Sequence, residues 1–151
     1  MNKKQKKTLL HFLFILALTV IAVLGLLVLR NVINKSEAVK AMQAIGNAVT
    51  EYRQQNNTVP PESWVMRIKE RIPGSVRLGE INYRARWLDI DSPPDEILAY
   101  TKKDYNSLLT GKGYIVLRLS GKVEWIDPNS FKKQLKARQT PAEIQLDPIS
   151  E

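Results

Sequence analysis

The feature that most constrains this chain is an uncharged apolar run near its N-terminus, at residues 9–29. A helix of these 21 residues spans about 30 Å, which is the thickness of the hydrocarbon core of a bilayer. A cleaved secretory signal has a shorter apolar core followed by small residues at a cleavage site, and neither feature precedes Arg30. The run therefore predicts an uncleaved signal anchor that crosses a membrane once.

Basic side chains on either side of this run indicate its orientation. Four lysines precede it, namely Lys3, Lys4, Lys6 and Lys7. After it, Arg30, Lys35 and Lys40 are more widely spaced and are diluted by Glu37. The positive-inside rule then predicts a cytoplasmic tail at residues 1–8 and an extracytoplasmic domain beyond the anchor.

Composition limits the chemistry of that domain. The net charge is +8, but the chain beyond residue 30 has 18 basic and 15 acidic side chains, so no nucleic-acid partner is expected. The sequence has no cysteine, and its single histidine, His11, lies in the apolar run. Because thiolates and imidazoles are common zinc ligands and catalytic groups, we expect no enzyme activity, no metal and no cofactor.

The anchor is predicted to continue directly into an amphipathic helix at residues 31–55. Apolar residues recur there mainly at spacings of three and four, with polar residues on the other face. The apolar positions are Val32, Val39, Met42, Ile45, Val49 and Tyr52. Pro60 and Pro61 prevent further continuation, and a second, short helix is predicted at residues 62–72.

The residue pattern of the rest of the domain predicts a sheet followed by a helix. Alternating residues at 76–90 predict a strand or an irregular hairpin, and residues 97–100 predict a short strand. Two apolar runs at 114–119 and 122–126 predict a hairpin whose two-residue turn, Ser120-Gly121, contains the required glycine. Val123 and Trp125 share one strand face, which makes Trp125 a core candidate.

Asp127 is predicted to cap a final helix that begins at Pro128. The extracytoplasmic domain would thus occupy residues 30–138. Residues 139–151 contain two prolines and no sustained period, so an extended tail is predicted. The fold class is α+β, with one long helix packed on a small antiparallel sheet.

This order of elements resembles type IV pilins and the pseudopilins of type II secretion systems. Four segments are similar, more specifically, to pseudopilin-like proteins of the planctomycete and verrucomicrobial kind: AVTEY at 48–52, PP at 60–61, EILAY at 96–100 and VLRLSGKVEW at 116–125. The resemblance covers residues 31 to about 136. It implies a pilin-like protein of the bacterial cytoplasmic membrane that contacts membrane lipid and other pseudopilin-like or secretion-system proteins.

The sequence departs from that family at two places. Class III signal peptides carry a glycine between the basic leader and the apolar run, and a glutamate at the fifth mature position; residues 6–12 contain neither. Ser120 and Lys122 stand where the family hairpin usually has aspartate and histidine. Processing by a prepilin peptidase is therefore not expected, and no ligand role passes to these two positions.

Two clusters of charged residues suggest other roles. Arg77, Arg84 and Arg86, interleaved with Tyr83 and Trp87, would form an anion-binding strand face, although a solvated face over a core is the more common outcome. A second cluster has carboxylate oxygens of the kind that coordinate Ca²⁺, but its residues do not have the spacing of an EF-hand. The cluster consists of Asp89, Asp91, Asp95 and Glu96. Ordinary turn and cap residues explain that cluster more simply.

Two hypotheses about function follow. The first is a noncatalytic, membrane-anchored pseudopilin-like component of an envelope secretion or pilus-like assembly. It would act by helix packing, with the apolar positions of the helix at residues 31–55 meeting related helices of neighbouring proteins. The second is a membrane-tethered extracytoplasmic domain that binds an anionic ligand or polymer through the three arginines.

Overall fold

The computed structural model describes residues 3–105 and 111–146, and its fold is α+β. A long, apolar N-terminal helix runs alongside a four-stranded antiparallel sheet with strand order β1-β2-β3-β4. The elements are α1 (Lys3–Asn56), α2 (Glu62–Arg71), β1 (Asn82–Tyr83), β2 (Ile97–Asp104), β3 (Lys112–Arg118), β4 (Val123–Ile126), α3 (Pro128–Arg138) and α4 (Pro141–Leu146).

Helix α1 is continuous over 54 residues, about 80 Å, which confirms that the apolar run and the amphipathic segment form one helix. Its N-terminal part is long and apolar enough to cross a membrane, and none of that stretch is buried by the rest of the described chain. Apart from the half-buried Val28, the large apolar side chains from Leu9 to Ile33 are between 44% and 69% exposed.

The C-terminal part of α1 packs on one face of the sheet. Met42, Ile45 and Val49 are at most 2% exposed and lie in the main core with Ile115 and Leu117 of β3. Gly46 permits this close contact, because a Cβ there would lie 2.7 Å from Cδ1 of Leu117. Small residues on α1 thus let the helix approach the sheet closely.

The other face of the sheet is covered by α3. Phe131 and Leu135 are fully buried against Tyr114 and Val116 of β3, and the Tyr114 and Phe131 rings stack with centroids 3.9 Å apart. Since β3 is covered on both faces, its sequence is a continuous apolar run rather than an alternating one. The predicted Asp127 cap is confirmed: its carboxylate accepts hydrogen bonds from the backbone N–H groups of Asn129 and Ser130.

The β3–β4 hairpin is confirmed, but its turn is longer than predicted. Leu117 pairs with Val123, and the backbone N–H of Arg118 donates to the carbonyl of Lys122. Leu119, Ser120 and Gly121 therefore form the turn, where two residues were expected. Gly121 has φ +84°, a left-handed conformation that glycine adopts without the penalty of a side chain.

The prediction of a strand or an irregular hairpin across residues 76–90 is largely wrong. Two 3₁₀ turns, Ser75–Leu78 and Ala85–Trp87, flank the two-residue β1. Gly74 and Gly79, with φ +78° and +64°, bend the chain on either side of the first turn. Its Leu78 carbonyl accepts a hydrogen bond from the Thr101 hydroxyl instead of joining a strand ladder. The alternating apolar residues of this segment therefore enter the core from turns and not from a strand.

The prediction of an extended tail is also wrong for the residues described. The chain turns after Gln139 into α4, and the side chain of Glu143 is only 2% exposed. This carboxylate forms a buried ion pair with Arg84, which is distant in the chain, and the pair holds the segment against the domain. Residues 147–151 of the predicted tail lie outside the described residues.

Candidate functional site: helix α1 and its exit from the domain

The helix residues predicted to mediate assembly are mostly used within the chain itself. Met42, Ile45 and Val49 are buried, and Val39 packs against the same core. The Tyr52 ring lies 4.7 Å from the Trp64 ring, so it joins α1 to α2. Of the six positions, Val32 alone is strongly exposed, at 44%. The apolar stripe beyond residue 38 is therefore covered by the chain's own sheet, and we call this part of α1 its covered half.

The uncovered apolar surface of α1 lies on its N-terminal part. It extends from Leu9 to Ile33, surrounds the helix as far as Leu27, and is interrupted on the domain side by the half-buried Val28 and Asn31. A Cβ added at Gly25 would meet no other described atom within 4 Å, so this segment is not shielded by the described chain. This bare half of α1 is the largest apolar surface among the described residues that is free to meet lipid or another helix.

Four residues define the edge of the domain where α1 leaves it, which we name the exit rim: Asn31, Lys35, Tyr105 and Trp125. The Asn31 side-chain amide donates to the backbone carbonyl of Tyr105 at 3.0 Å. The Tyr105 and Trp125 rings stack with centroids 6.0 Å apart, and Nζ of Lys35 lies 3.8 Å from the Trp125 ring centroid. Burial lowers the pKa of the Lys35 ammonium below its usual value.

Trp125 was predicted to be a core residue, and the structure places it at the edge of the core. It is half-buried, packs against the main core, and has the Lys35 ammonium over its ring. Gly113, on the neighbouring strand, makes room for the indole, since a Cβ there would lie 2.4 Å from Cζ2 of Trp125. Val123 packs beside it, also half-buried.

Arg84 is buried, at 5% exposed, where the sequence suggested an anion-binding face. Its guanidinium makes two hydrogen bonds to the Glu143 carboxylate, at 2.6 Å and 2.9 Å, and a third at 2.7 Å to the carbonyl of Ile97. A Glu96 oxygen lies 3.6 Å from the same group. Because the chain's own carboxylates occupy it, Arg84 offers no open site to an external anion.

The other two arginines of that prediction lie elsewhere. Nε of Arg77 contacts the Glu37 carboxylate on α1 at 3.2 Å, whereas Arg86 lies in the second 3₁₀ turn, with its guanidinium 5.5 Å from the Trp87 ring centroid. The three arginines do not share a strand face, so the arrangement predicted for an anionic-ligand face is not formed. The strand that would have aligned them is replaced by turns.

The acidic loop predicted as a possible calcium site is engaged by arginines. Arg138 contacts Asp95 at 2.5 Å and Glu96 at 3.4 Å, and Arg118 donates to the Asp95 backbone carbonyl at 2.8 Å. Within residues 3–105 and 111–146, no three carboxylate or histidine side chains are grouped as a metal would require. The loop is joined to α3 by ion pairs.

Sequence reasoning missed Glu143 and the role of Arg118. Arg118 lies in an apolar strand, and that position was a usable signal, because a charged side chain in a buried strand needs a partner. Its guanidinium contacts Glu124 and Gln134. Burial raises the pKa of the Glu124 carboxyl, but hydrogen bonds from Arg118 and Lys122 outweigh burial and keep this pKa below its usual range. No local pattern marks Glu143 as the partner of Arg84.

Comparison with known proteins found no matching family model, no similar curated protein and no similar solved structure.

Proposed function

We propose that this chain is a noncatalytic, membrane-anchored, pseudopilin-like component of an envelope secretion or pilus-like assembly. It lies in the bacterial cytoplasmic membrane, with its N-terminal tail in the cytoplasm and its pilin-like domain outside. The observation that carries this proposal is the division of α1 into a covered half and a bare half.

The covered half supports a pilin-like arrangement, in which a sheet lies across the C-terminal part of one long helix. The main core joins Met42 and Ile45 of α1 to Ile115 and Leu117 of the sheet, so the domain and the helix form one unit. Any lateral contact made by the apolar stripe of the covered half would have to compete with this core. Assembly through that stripe is therefore disfavoured.

The bare half supplies the surface for lateral packing. Between transmembrane helices the hydrophobic effect is weak, and association depends on close contact at small residues. Ala22 and Gly25 lie one turn apart within the bare half, where no described part of the domain covers them. We therefore assign helix–helix contact with neighbouring subunits to residues 9–33.

Single-cysteine crosslinking in native membranes tests this assignment, because the chain contains no cysteine of its own. The informative variants are Ala22→Cys and Val32→Cys on the bare half. The matched control is Asn47→Cys, an exposed position on the outer side of the covered half. We expect oxidation to join the introduced cysteines of two neighbouring copies in a disulfide, giving a crosslinked dimer, for the first two variants only.

Two further measurements test whether the N-terminal segment stays attached and on which side of the membrane the domain lies. The intact mass of the membrane-extracted protein should equal that of the full chain, since the leader lacks the prepilin peptidase pattern. A reporter fused after Glu151 should be active only outside the cytoplasm. Monomeric, uncrosslinked protein at native expression, or a reporter active inside the cell, would contradict the proposal.

A further inference from the structure

Resting on the proposed membrane anchor, we infer that the exit rim is a lipid-contact surface, with Tyr105 and Trp125 lying in the phospholipid headgroup layer. The occupant is the surface of the same bilayer that α1 crosses. The domain would then rest directly on the membrane at a defined height.

The height of the rim follows from the helix. Asn31 and Lys35 lie two and six residues beyond Leu29, which corresponds to about 3 Å and 9 Å along the axis. The headgroup layer on each side of a bilayer is about 5–8 Å thick. Asn31, which is bonded to Tyr105, lies within that layer, and Lys35, which lies over Trp125, lies at its outer boundary, so the rim is level with the outer part of the layer.

The chemistry of the rim fits the same occupant. Tyrosine and tryptophan are enriched at membrane interfaces, since their rings are apolar and carry one polar group. The Lys35 ammonium, which lies over the Trp125 ring, adds a positive charge at this level, and anionic headgroups attract such a charge. The apolar surface is also continuous, since Val32 and Ile33 on α1 are 44% and 47% exposed just beside Asn31.

The bond between Asn31 and Tyr105 makes the height specific. It joins the end of β2 to the first residues after the apolar run. The turn of the β3–β4 hairpin lies at the opposite end of the sheet and is bonded much further along α1, where the Gln43 side chain donates to the Gly121 carbonyl. Strand β3 therefore runs along α1 with its N-terminal end nearest the membrane. Such a domain cannot tilt far from the bilayer without breaking contacts to its own helix.

Fluorescence of single-tryptophan variants of the full chain tests the inference in nanodiscs that hold one copy each. Trp64→Phe/Trp87→Phe leaves Trp125, and Trp87→Phe/Trp125→Phe leaves Trp64 as the matched control. Trp64 packs on Tyr52, 17 residues beyond Lys35 and about 26 Å further along the helix. With brominated phosphatidylcholine and phosphatidylglycerol, we expect Trp125 emission to be lost and Trp64 emission to be unchanged.

A second pair of variants leaves every tryptophan in place. Lys112→Cys lies beside Gly113, near the rim, and Lys122→Cys directly follows the hairpin turn at the far end. The two lysine side chains are 69% and 71% exposed. On incorporation into nanodiscs, a fluorophore at residue 112 should lose accessibility to aqueous iodide. The same fluorophore at residue 122 should not.

The outcomes separate the inference from the proposal beneath it. A chain that fails to co-purify with nanodiscs overturns both. A chain that co-purifies, but whose Trp125 and residue 112 label behave like their controls, overturns the lipid contact and leaves the anchor. Protection that appears only in discs holding two copies also overturns it, because a second copy would then cover the rim.

Discussion

Arg84 and Glu143, 59 residues apart in the chain, form a buried ion pair with two hydrogen bonds between guanidinium and carboxylate. Both side chains are at most 6% exposed. The pair joins the loop before β2 to the C-terminal helix α4, whose described side chains, at residues 141–145, belong to neither hydrophobic core cluster. The position of α4 therefore depends chiefly on this electrostatic contact.

Glu143→Ala is expected to destabilise the domain by about 3–5 kcal/mol, because it leaves the Arg84 guanidinium buried without its main partner. Urea unfolding in detergent, followed by tryptophan fluorescence, measures this loss. Glu37→Ala is the matched control, since the Glu37–Arg77 pair is almost half exposed and should be worth about 0–1 kcal/mol. Equal effects from the two variants would contradict burial of Glu143.

Replacing both partners should be much milder than removing one. Arg84→Met/Glu143→Leu removes the two charges together, so neither is left desolvated without a partner, and such exchanges are often neutral or stabilising by about 1–4 kcal/mol. The measurement is the same urea midpoint, compared with both single variants. A double variant as unstable as Glu143→Ala would mean that the hydrogen bond to Ile97, rather than the ion pair, controls the site.

Gly113→Ala is expected to destabilise the domain by about 1–3 kcal/mol through overpacking. The added Cβ would lie 2.4 Å from the Trp125 ring and 2.9 Å from the carbonyl oxygen of Ile126, so the indole has to move. Thermal unfolding gives the loss, and a change in Trp125 emission reports the displacement. Gly25→Ala, which meets no described atom within 4 Å, should leave both readings unchanged.

Acid should destabilise the domain only at low pH. Hydrogen bonds from Arg138 keep the pKa of Asp95 below its usual value, and hydrogen bonds from Ser130 do the same for Asp127. A carboxyl whose pKa is lower in the folded state stabilises that state above its unfolded pKa, and this contribution is lost as pH falls through the folded pKa. Stability should therefore be steady from about pH 5 to 8 and fall below about pH 4.

Asp127→Asn tests the cause of this acid sensitivity. The amide oxygen still caps α3 but does not titrate, so the fall in stability below about pH 4 should become shallower while stability near neutral pH changes little. Unfolding curves at several pH values supply the comparison. An unchanged pH profile would show that other carboxyls account for the acid transition.

Local patterns in the sequence were sufficient for much of the fold. The run at 9–29, the apolar spacing from Val39 to Val49, and Pro60-Pro61 correctly predicted one long helix and its end. Two apolar runs joined through Gly121 correctly predicted the hairpin, and Asp127 before Pro128 correctly predicted the start of α3. Each of these signals lies within a few residues of the structure it specifies.

The failures share one physical cause. Residues 76–90 have the alternation of a strand, yet Arg84 turns inward to Glu143 and the Leu78 carbonyl is bonded by Thr101. Residues 139–146 lack a helical period, yet the same ion pair holds α4 against the domain. In both places a contact between distant parts of the chain outweighs the weak local preference.

Helical and strand periodicity depends on backbone geometry, so residues close in sequence carry enough information to specify the apolar run, helix α1 and the hairpin. The partner of a buried charge depends instead on which distant segments meet after packing. The burial of Arg84, the covering of Met42 and Val49 by the sheet, and the meeting of Lys35 with Trp125 belong to this second kind. These contacts form because a buried charge needs a partner and an apolar face needs to be covered, and only the complete fold decides which residues lie close enough to do so.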